Sequence, residues 1–189
     1  MKKIISLYGL AAAGKTTQAN LLCKKYGFQQ FGMGETLRAE IASGSELGAE
    51  IKKSVDQGVL IPDELMVQVL KKIGPSIKET GIVFDGFPRI VPQAEMLEKI
   101  VKENGLEVDL FILLNISFAE AQKRINKRAA ETGRSDDQDP EVVNNRLEVF
   151  RRESEPLISY YKERGKFIEI DGEKTIEEVF SEIEKQLIR

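Results

Sequence analysis

The chain has no histidine and a single cysteine, Cys23, among its 189 residues. One thiol cannot close a disulfide within the chain. Nor can one thiolate fill the tetrahedral shell of a zinc site built on Cys and His, so no zinc is expected. Ser-His-Asp and Cys-His catalysis both need an imidazole and are excluded. Chemistry is left to carboxylates, Lys, Arg, hydroxyls, backbone amides and oxygen-bound metals. A lone thiol suits a reducing compartment, which points to the cytoplasm. No apolar run approaches the roughly 20 residues of a membrane span. Positive charge is not in excess either: 28 Lys and Arg stand against 31 Asp and Glu, a net charge of −3. That argues against nucleic acid and anionic membrane as partners.

What is present is an ordinary soluble composition, 41% apolar and 31% charged, at a length that fits one domain with small insertions. Met1-Lys2-Lys3, a short apolar stretch and Ala11-Ala12-Ala13 imitate an export signal. Tyr8 and Gly9 interrupt that stretch, and Gly14-Lys15-Thr16 follows at once and explains it better.

Five short apolar runs alternate with longer helical patterns. Strands are expected at 3–8, 28–31, 82–85, 110–116 and 167–171. Helices are expected at 15–26, 35–42, 46–57, 63 to about 73, 92–104, 118 to about 130, and 140 to about 164, with one more at the C-terminus. Gly58 and Gly74-Pro75 stop two of them. Ser117-x-x-Glu120 and Thr175-x-x-Glu178 are capping boxes, and Asp139-Pro140 is an N-cap followed by proline. The polar stretch 132–139 reads as a loop. This alternation predicts an α/β fold, a parallel five-stranded sheet flanked by helices. Segment 32–80 carries three helical patterns without a strand and reads as an inserted helical subdomain.

Gly9-Leu10-Ala11-Ala12-Ala13-Gly14-Lys15-Thr16 matches G-x-x-x-x-G-K-[ST] between a strand and a helix. Backbone amides there would cradle a polyphosphate, Lys15 would reach its outer phosphates, and the Thr16 hydroxyl would meet Mg²⁺. Asp85, at the carboxyl end of the second long apolar strand, can hold Mg²⁺ through water. Arg38, Arg89, Arg124, Arg128, Arg134 and Arg146 are spread over separate elements. A nucleoside triphosphate and a monophosphate together carry about six negative charges, which guanidinium clamps can offset. A phosphate acceptor is already largely anionic at neutral pH, so transfer to it needs no histidine base.

With these motifs in order, the chain resembles the adenylate kinase family of nucleoside monophosphate kinases over nearly its full length. The resemblance rests on GKTTQ, GMGETLR, GVLIPDEL, FDGFPRIVPQAE, RINKRAAETGRSDDQDPEVVNNRLEVF and FIEIDGEKTIEEV. It implies a P-loop NTPase core at 1–31, 81–128 and 141–189. A helical monophosphate-binding subdomain would occupy 32–80 and a short lid 129–140. The implied activity is reversible Mg²⁺-dependent phosphoryl transfer from ATP to AMP, giving ADP, by a cytoplasmic monomer.

The resemblance also implies site residues. Gly9, Ala12, Ala13, Gly14, Lys15, Thr16 and Thr17 would hold the triphosphate. Arg124 would stack on its adenine beside Gly172 and Lys174. Arg38 and Arg89 would bind the monophosphate, Gln93 would read the adenine edge, and Met33, Gly34, Val59 and Gly86 would line that pocket. Arg128, Arg134 and Arg146 would clamp phosphates, the last two on the transferring group. Lys15, Arg89, Arg134 and Arg146 form the implied catalytic set, Asp136 and Asp137 position the lid, and Thr16 and Asp85 face Mg²⁺.

The chain departs from the family at four places. Alanines replace a glycine-richer phosphate loop, and any of them needing φ > 0 would be strained. Thr16 replaces a glycine, Met33 replaces a threonine that contacts adenine, and Glu35 replaces an aspartate. These bear on rate and on base selectivity. A UMP/CMP-type kinase and a P-loop regulator without kinase activity stand as alternatives.

Overall fold

In a computed structural model, the described residues are 3–71 and 81–187. The strands are β1 (Ile4–Tyr8), β2 (Gln29–Gly32), β3 (Ile82–Asp85), β4 (Leu110–Asn115) and β5 (Phe167–Asp171). The helices are α1 (Lys15–Tyr26), α2 (Met33–Ala42), α3 (Glu46–Gln57), α4 (Asp63–Lys71), α5 (Val91–Glu103), α6 (Phe118–Thr132), α7 (Ser135–Gln138), α8 (Pro140–Lys162) and α9 (Ile176–Leu187). The expected end of α4 near residue 73 and the Gly74-Pro75 break lie outside the described residues.

All strands are parallel, in the order β2-β3-β1-β4-β5. The stretch that imitates an export signal forms the central strand. Alternate side chains of the strands feed two cores, as the pleat requires. Ile4, Tyr8, Phe84, Phe111 and Leu113 pack under α2–α5 and α8. Ile5, Leu7, Val83, Ile112 and Leu114 pack under α1, α6 and α9. Both faces are covered, so the inner strands β1, β3 and β4 are nearly continuous apolar runs, whereas the edge strands β2 and β5 carry polar residues.

Helix ends follow local chemistry. Gly27, Gly58 and Gly133 close α1, α3 and α6 in the left-handed region. Asp139 accepts from the Glu141 amide at 2.8 Å, and Pro140 opens α8. The Thr175–Glu178 box is reciprocal: Glu178 accepts from the Thr175 amide, and Thr175 Oγ1 accepts from the Glu178 amide. The Ser117 box is half-made. Ser117 Oγ accepts from the Glu120 amide, but its own amide donates to Glu173, while Glu120 turns to Arg124. The expected loop at 132–139 contains the short helix α7. Its Asp137 is held by Arg128 of α6 and Arg146 of α8, a tertiary cause that local sequence does not carry.

From β1 the chain crosses to the edge strand β2, returns to β3 beside β1, and then crosses to β4 on the other side of β1. The crevice at the carboxyl ends of these strands is the topological switch point where ligands of open α/β sheets bind.

Candidate functional site

A cavity of about 170 Å³ opens at that crevice. The loop between β1 and α1 forms one wall. Gly9 has φ of +143°, and a Cβ there would meet the Leu114 carbonyl oxygen at 2.5 Å, so only glycine fits. Ala12 takes φ of +63°, the one positive φ at a non-glycine residue among those described. The strain expected of an alanine loop is therefore present at one position. Gly14 precedes α1 in the left-handed region.

Lys15 Nζ donates to the carbonyls of Gly9 and Leu10 at 2.9 and 2.7 Å. Burial disfavours its charge and, with repulsion from Arg89, Arg146 and Arg128, outweighs attraction to Asp85. The ammonium is pulled down to about 7. Thr16 Oγ1 donates to Asp85 Oδ2 at 2.5 Å. This hydroxyl–carboxylate pair is a hard-oxygen donor set of the kind that suits Mg²⁺. Among the described residues no group of three or more His, Cys, Asp or Glu could hold a metal ion. A cation at this pair would therefore take further oxygens from phosphate or water.

The second wall leaves β3. Gly86 donates its amide to Leu7 across the sheet at 3.0 Å. A Cβ on Gly86 would lie 3.6 Å from Lys15 Cε. Ser6 Oγ donates to the Phe87 carbonyl at 2.6 Å and fixes the turn, which contains a cis Phe87–Pro88 bond. Arg89 Nε donates to the Gly86 carbonyl, and the Arg89 amide donates to Gln93 Oε1 at 2.9 Å.

α2 adds Gly34, Glu35 and Arg38, and the turn after α3 adds Gly58, Val59 and Leu60. A Cβ on Gly34 would sit 3.1 Å from Arg38 Nη1, so the bare backbone lets the guanidinium lie close. The α3 turn is seated on α8: a Cβ on Gly58 would meet the Val142 carbonyl oxygen at 2.4 Å, and Asn145 donates to the Gln57 carbonyl.

The last wall joins α6, α7 and α8 through two aspartates and three arginines. Asp137 accepts two hydrogen bonds from Arg128, at 2.6 and 2.9 Å, and one from Arg146 at 2.9 Å. Asp136 accepts two from Arg134, at 3.1 and 2.7 Å. Burial pushes both carboxyls up, but the arginines outweigh it and hold them below the usual carboxylate range. These contacts leave Nη1 of Arg128, Nη1 of Arg134, and Nε and Nη2 of Arg146 without hydrogen bonds among the described residues. The aspartates thus orient the guanidiniums without exhausting them.

The cavity brings together Gly9, Ala12, Lys15, Thr16, Gly34, Arg38, Val59, Asp85, Gly86, Arg89, Arg128, Arg134 and Arg146. Other expected residues lie outside its lining. Met33 and Gln93 are buried, each 1% exposed. Arg124 Nη1 donates to the Gly172 carbonyl at 3.0 Å, which joins two expected adenine contacts. A Cβ on Gly172 would lie 3.5 Å from the Ala13 carbonyl oxygen, so this turn abuts the phosphate loop. Lys174 is exposed and donates to Glu182. Thr17 is exposed in the first turn of α1. Sequence reasoning did not single out Tyr8, Phe150 or Glu153, which also line the cavity. Arg146, Phe150 and Glu153 are spaced four and three apart on α8, so helical periodicity running on from Arg146 was the available signal.

Six cationic side chains line the cavity, Lys15 and five arginines, against the carboxylates Glu35, Asp85 and Glu153. Such an excess, beside a glycine-flanked loop at a helix N-terminus, is built for a polyanion. A family model described as adenylate kinase matches residues 7–166. An adenylate kinase of Bacteroides fragilis is 42% identical over 180 residues, which is 95% of each chain. One of Phocaeicola vulgatus is 41% identical over 180 residues, again 95% of each chain. One of a Caulobacter species is 41% identical over 182 residues, 96% of each chain. No helix among the described residues is long and apolar enough to cross a membrane. The chain belongs to the adenylate kinase family.

Proposed function

We propose that the chain transfers the terminal phosphoryl group of ATP reversibly to AMP, and that the cavity at the switch point is where it does so. The observation that carries this reading is the convergence of six cationic side chains from six elements or loops on one cavity beside the phosphate loop. Two nucleotides bring about six negative charges. Six cations against three carboxylates leave a formal excess of three positive charges in the lining. Mg²⁺ held by Thr16, and by Asp85 through water, would offset part of the remainder and shield the triphosphate.

Backbone amides from Gly9 to Thr17, together with Lys15, hold the triphosphate. Arg124, Gly172 and Lys174 mark the side of its base. Arg38 and Arg89 bind the monophosphate. Arg128, Arg134 and Arg146 present unused N–H groups where charge builds during transfer, and this preorganised field lowers the barrier. Asp136 and Asp137 keep those groups aimed. The acceptor phosphate is already anionic, so no residue need remove a proton. In this reading 32–80 and the lid at 129–140 close on the core 1–31, 81–128 and 141–189, and closure excludes water from the transferring group. We also place the protein in the cytoplasm, as a monomer.

Base selectivity rests on fewer groups than in most of the family. Met33 offers no hydrogen bond. Gln93 Oε1 accepts from the Arg89 amide, which occupies one of its two acceptor sites and leaves its Nε2 donors as the unengaged end of the side chain. Donors suit N1 of adenine, but they also suit a pyrimidine carbonyl. ADP formation from MgATP should therefore be measured with AMP, CMP, UMP and GMP separately. Turnover strongly favouring AMP supports the proposal. Preference for a pyrimidine keeps the chemistry and overturns the substrate. No turnover with any monophosphate overturns the kinase reading.

A further inference from the structure

We infer that the Tyr8 hydroxyl is a substrate-binding group, a neutral donor to the phosphate of the bound monophosphate. The inference rests on the proposed monophosphate site and adds a contact that the phosphate-loop and arginine motifs do not contain. Tyr8 is the last residue of β1, directly before Gly9. Its ring packs against both Phe111 and Phe150, each ring centroid 5.2 Å away. Only 4% of the residue is exposed, yet it lines the cavity with Lys15, Gly86 and Arg89. Among the described residues its hydroxyl makes no hydrogen bond, and it is not one of the buried polar atoms cut off from solvent. The exposed remnant of a packed tyrosine that lines a cavity is therefore its polar end.

Parallel pairing sets the partner. Leu7 lies opposite Asp85, so Tyr8 stands beside the Gly86–Arg89 turn. Among charged groups Arg89 acts most strongly on the phenol, followed by Glu153. Burial keeps the phenol protonated far above neutral pH, so against an anion it acts as a donor. A phosphate held by Arg89 falls within the reach of this ring. Because the ring is already immobilised, the hydrogen bond costs little ordering.

The test is Tyr8→Phe, which keeps both ring contacts and removes one oxygen. A hydrogen bond to a charged group corresponds to roughly a tenfold or larger loss of affinity. KM for AMP should rise about tenfold while KM for ATP and the melting temperature stay as in the wild type. Calorimetric titration with AMP and with adenosine supplies the second readout. A phosphate contact weakens AMP binding and leaves adenosine unchanged, whereas altered packing moves both. Unchanged AMP binding, equal weakening of both ligands, or an effect confined to ATP would each overturn the inference. Failure of the wild type to turn over any monophosphate would instead overturn the kinase reading, so the two failures are distinct.

Discussion

Asp137→Asn tests whether the acidic hub at α7 acts by aiming arginines. The Asp137 carboxylate has no exposed surface and accepts three hydrogen bonds, from Arg128 twice and Arg146 once. Removing one partner of a fully buried ion pair costs about 3–5 kcal/mol. Here Arg128, Arg134 and Arg146 keep 27, 24 and 22% exposure and can be re-solvated. Solvent screening therefore reduces the expected loss of stability to about 1–2 kcal/mol. For a chain of this size that lowers the melting temperature by roughly 2–8 °C. The larger effect is kinetic. Asparagine keeps the shape but presents N–H₂ toward a guanidinium, so at least one arginine must shift. A misplacement of about 1 Å in a positioning group costs ~100-fold in rate. We expect kcat to fall by about that factor in a coupled assay. KM for AMP, which the proposed reading assigns to Arg38 and Arg89, should stay near the wild-type value. A variant that is folded and retains kcat within about threefold would refute the aiming role, because a factor that small is under 1 kcal/mol of barrier.

Three further outcomes follow from the geometry. Ala12→Gly removes the penalty of φ +63° at a non-glycine residue and should raise stability by about 0.5–1 kcal/mol in urea unfolding; no gain would mean the loop carries no strain there. Gly9→Ala places a Cβ 2.5 Å from a backbone oxygen and should cost several-fold more than that, or abolish folding, as read by circular dichroism. Lys15 falls from its usual range to about 7, so its charged form destabilises the fold below that pH, and the penalty lifts as pH rises from 7 toward 10.5. A bound polyphosphate reverses the shift, so nucleotide binding near pH 8 should take up protons, seen as a dependence of calorimetric heat on buffer ionisation enthalpy; identical heats in all buffers would contradict it.

The ends of α1, α3 and β5 match the sequence expectation because the marks are local. Gly14 and Gly27 bracket α1, Ser45 and Gly58 bracket α3, and an apolar run between polar residues defines β5. α7 was not legible, because four polar residues have no periodicity and their order comes from Arg128 and Arg146 on other helices. The motif residues of the cavity were readable from spacing and resemblance. Tyr8, Phe150 and Glu153 were not, since each looks like an ordinary strand or helix position. Only the packing of α8 over the end of β1 turns them toward the cavity. Nor does sequence reveal that Gln93 Oε1 is already engaged by a backbone amide.

The most direct test of the account supplies ADP and Mg²⁺ alone and follows the phosphorus resonances over time. Phosphoryl transfer between two nucleotides in a closed cavity predicts ATP and AMP appearing in equal amounts, with no inorganic phosphate. Unchanged ADP would contradict transfer altogether, and release of inorganic phosphate would contradict the exclusion of water from the transferring group.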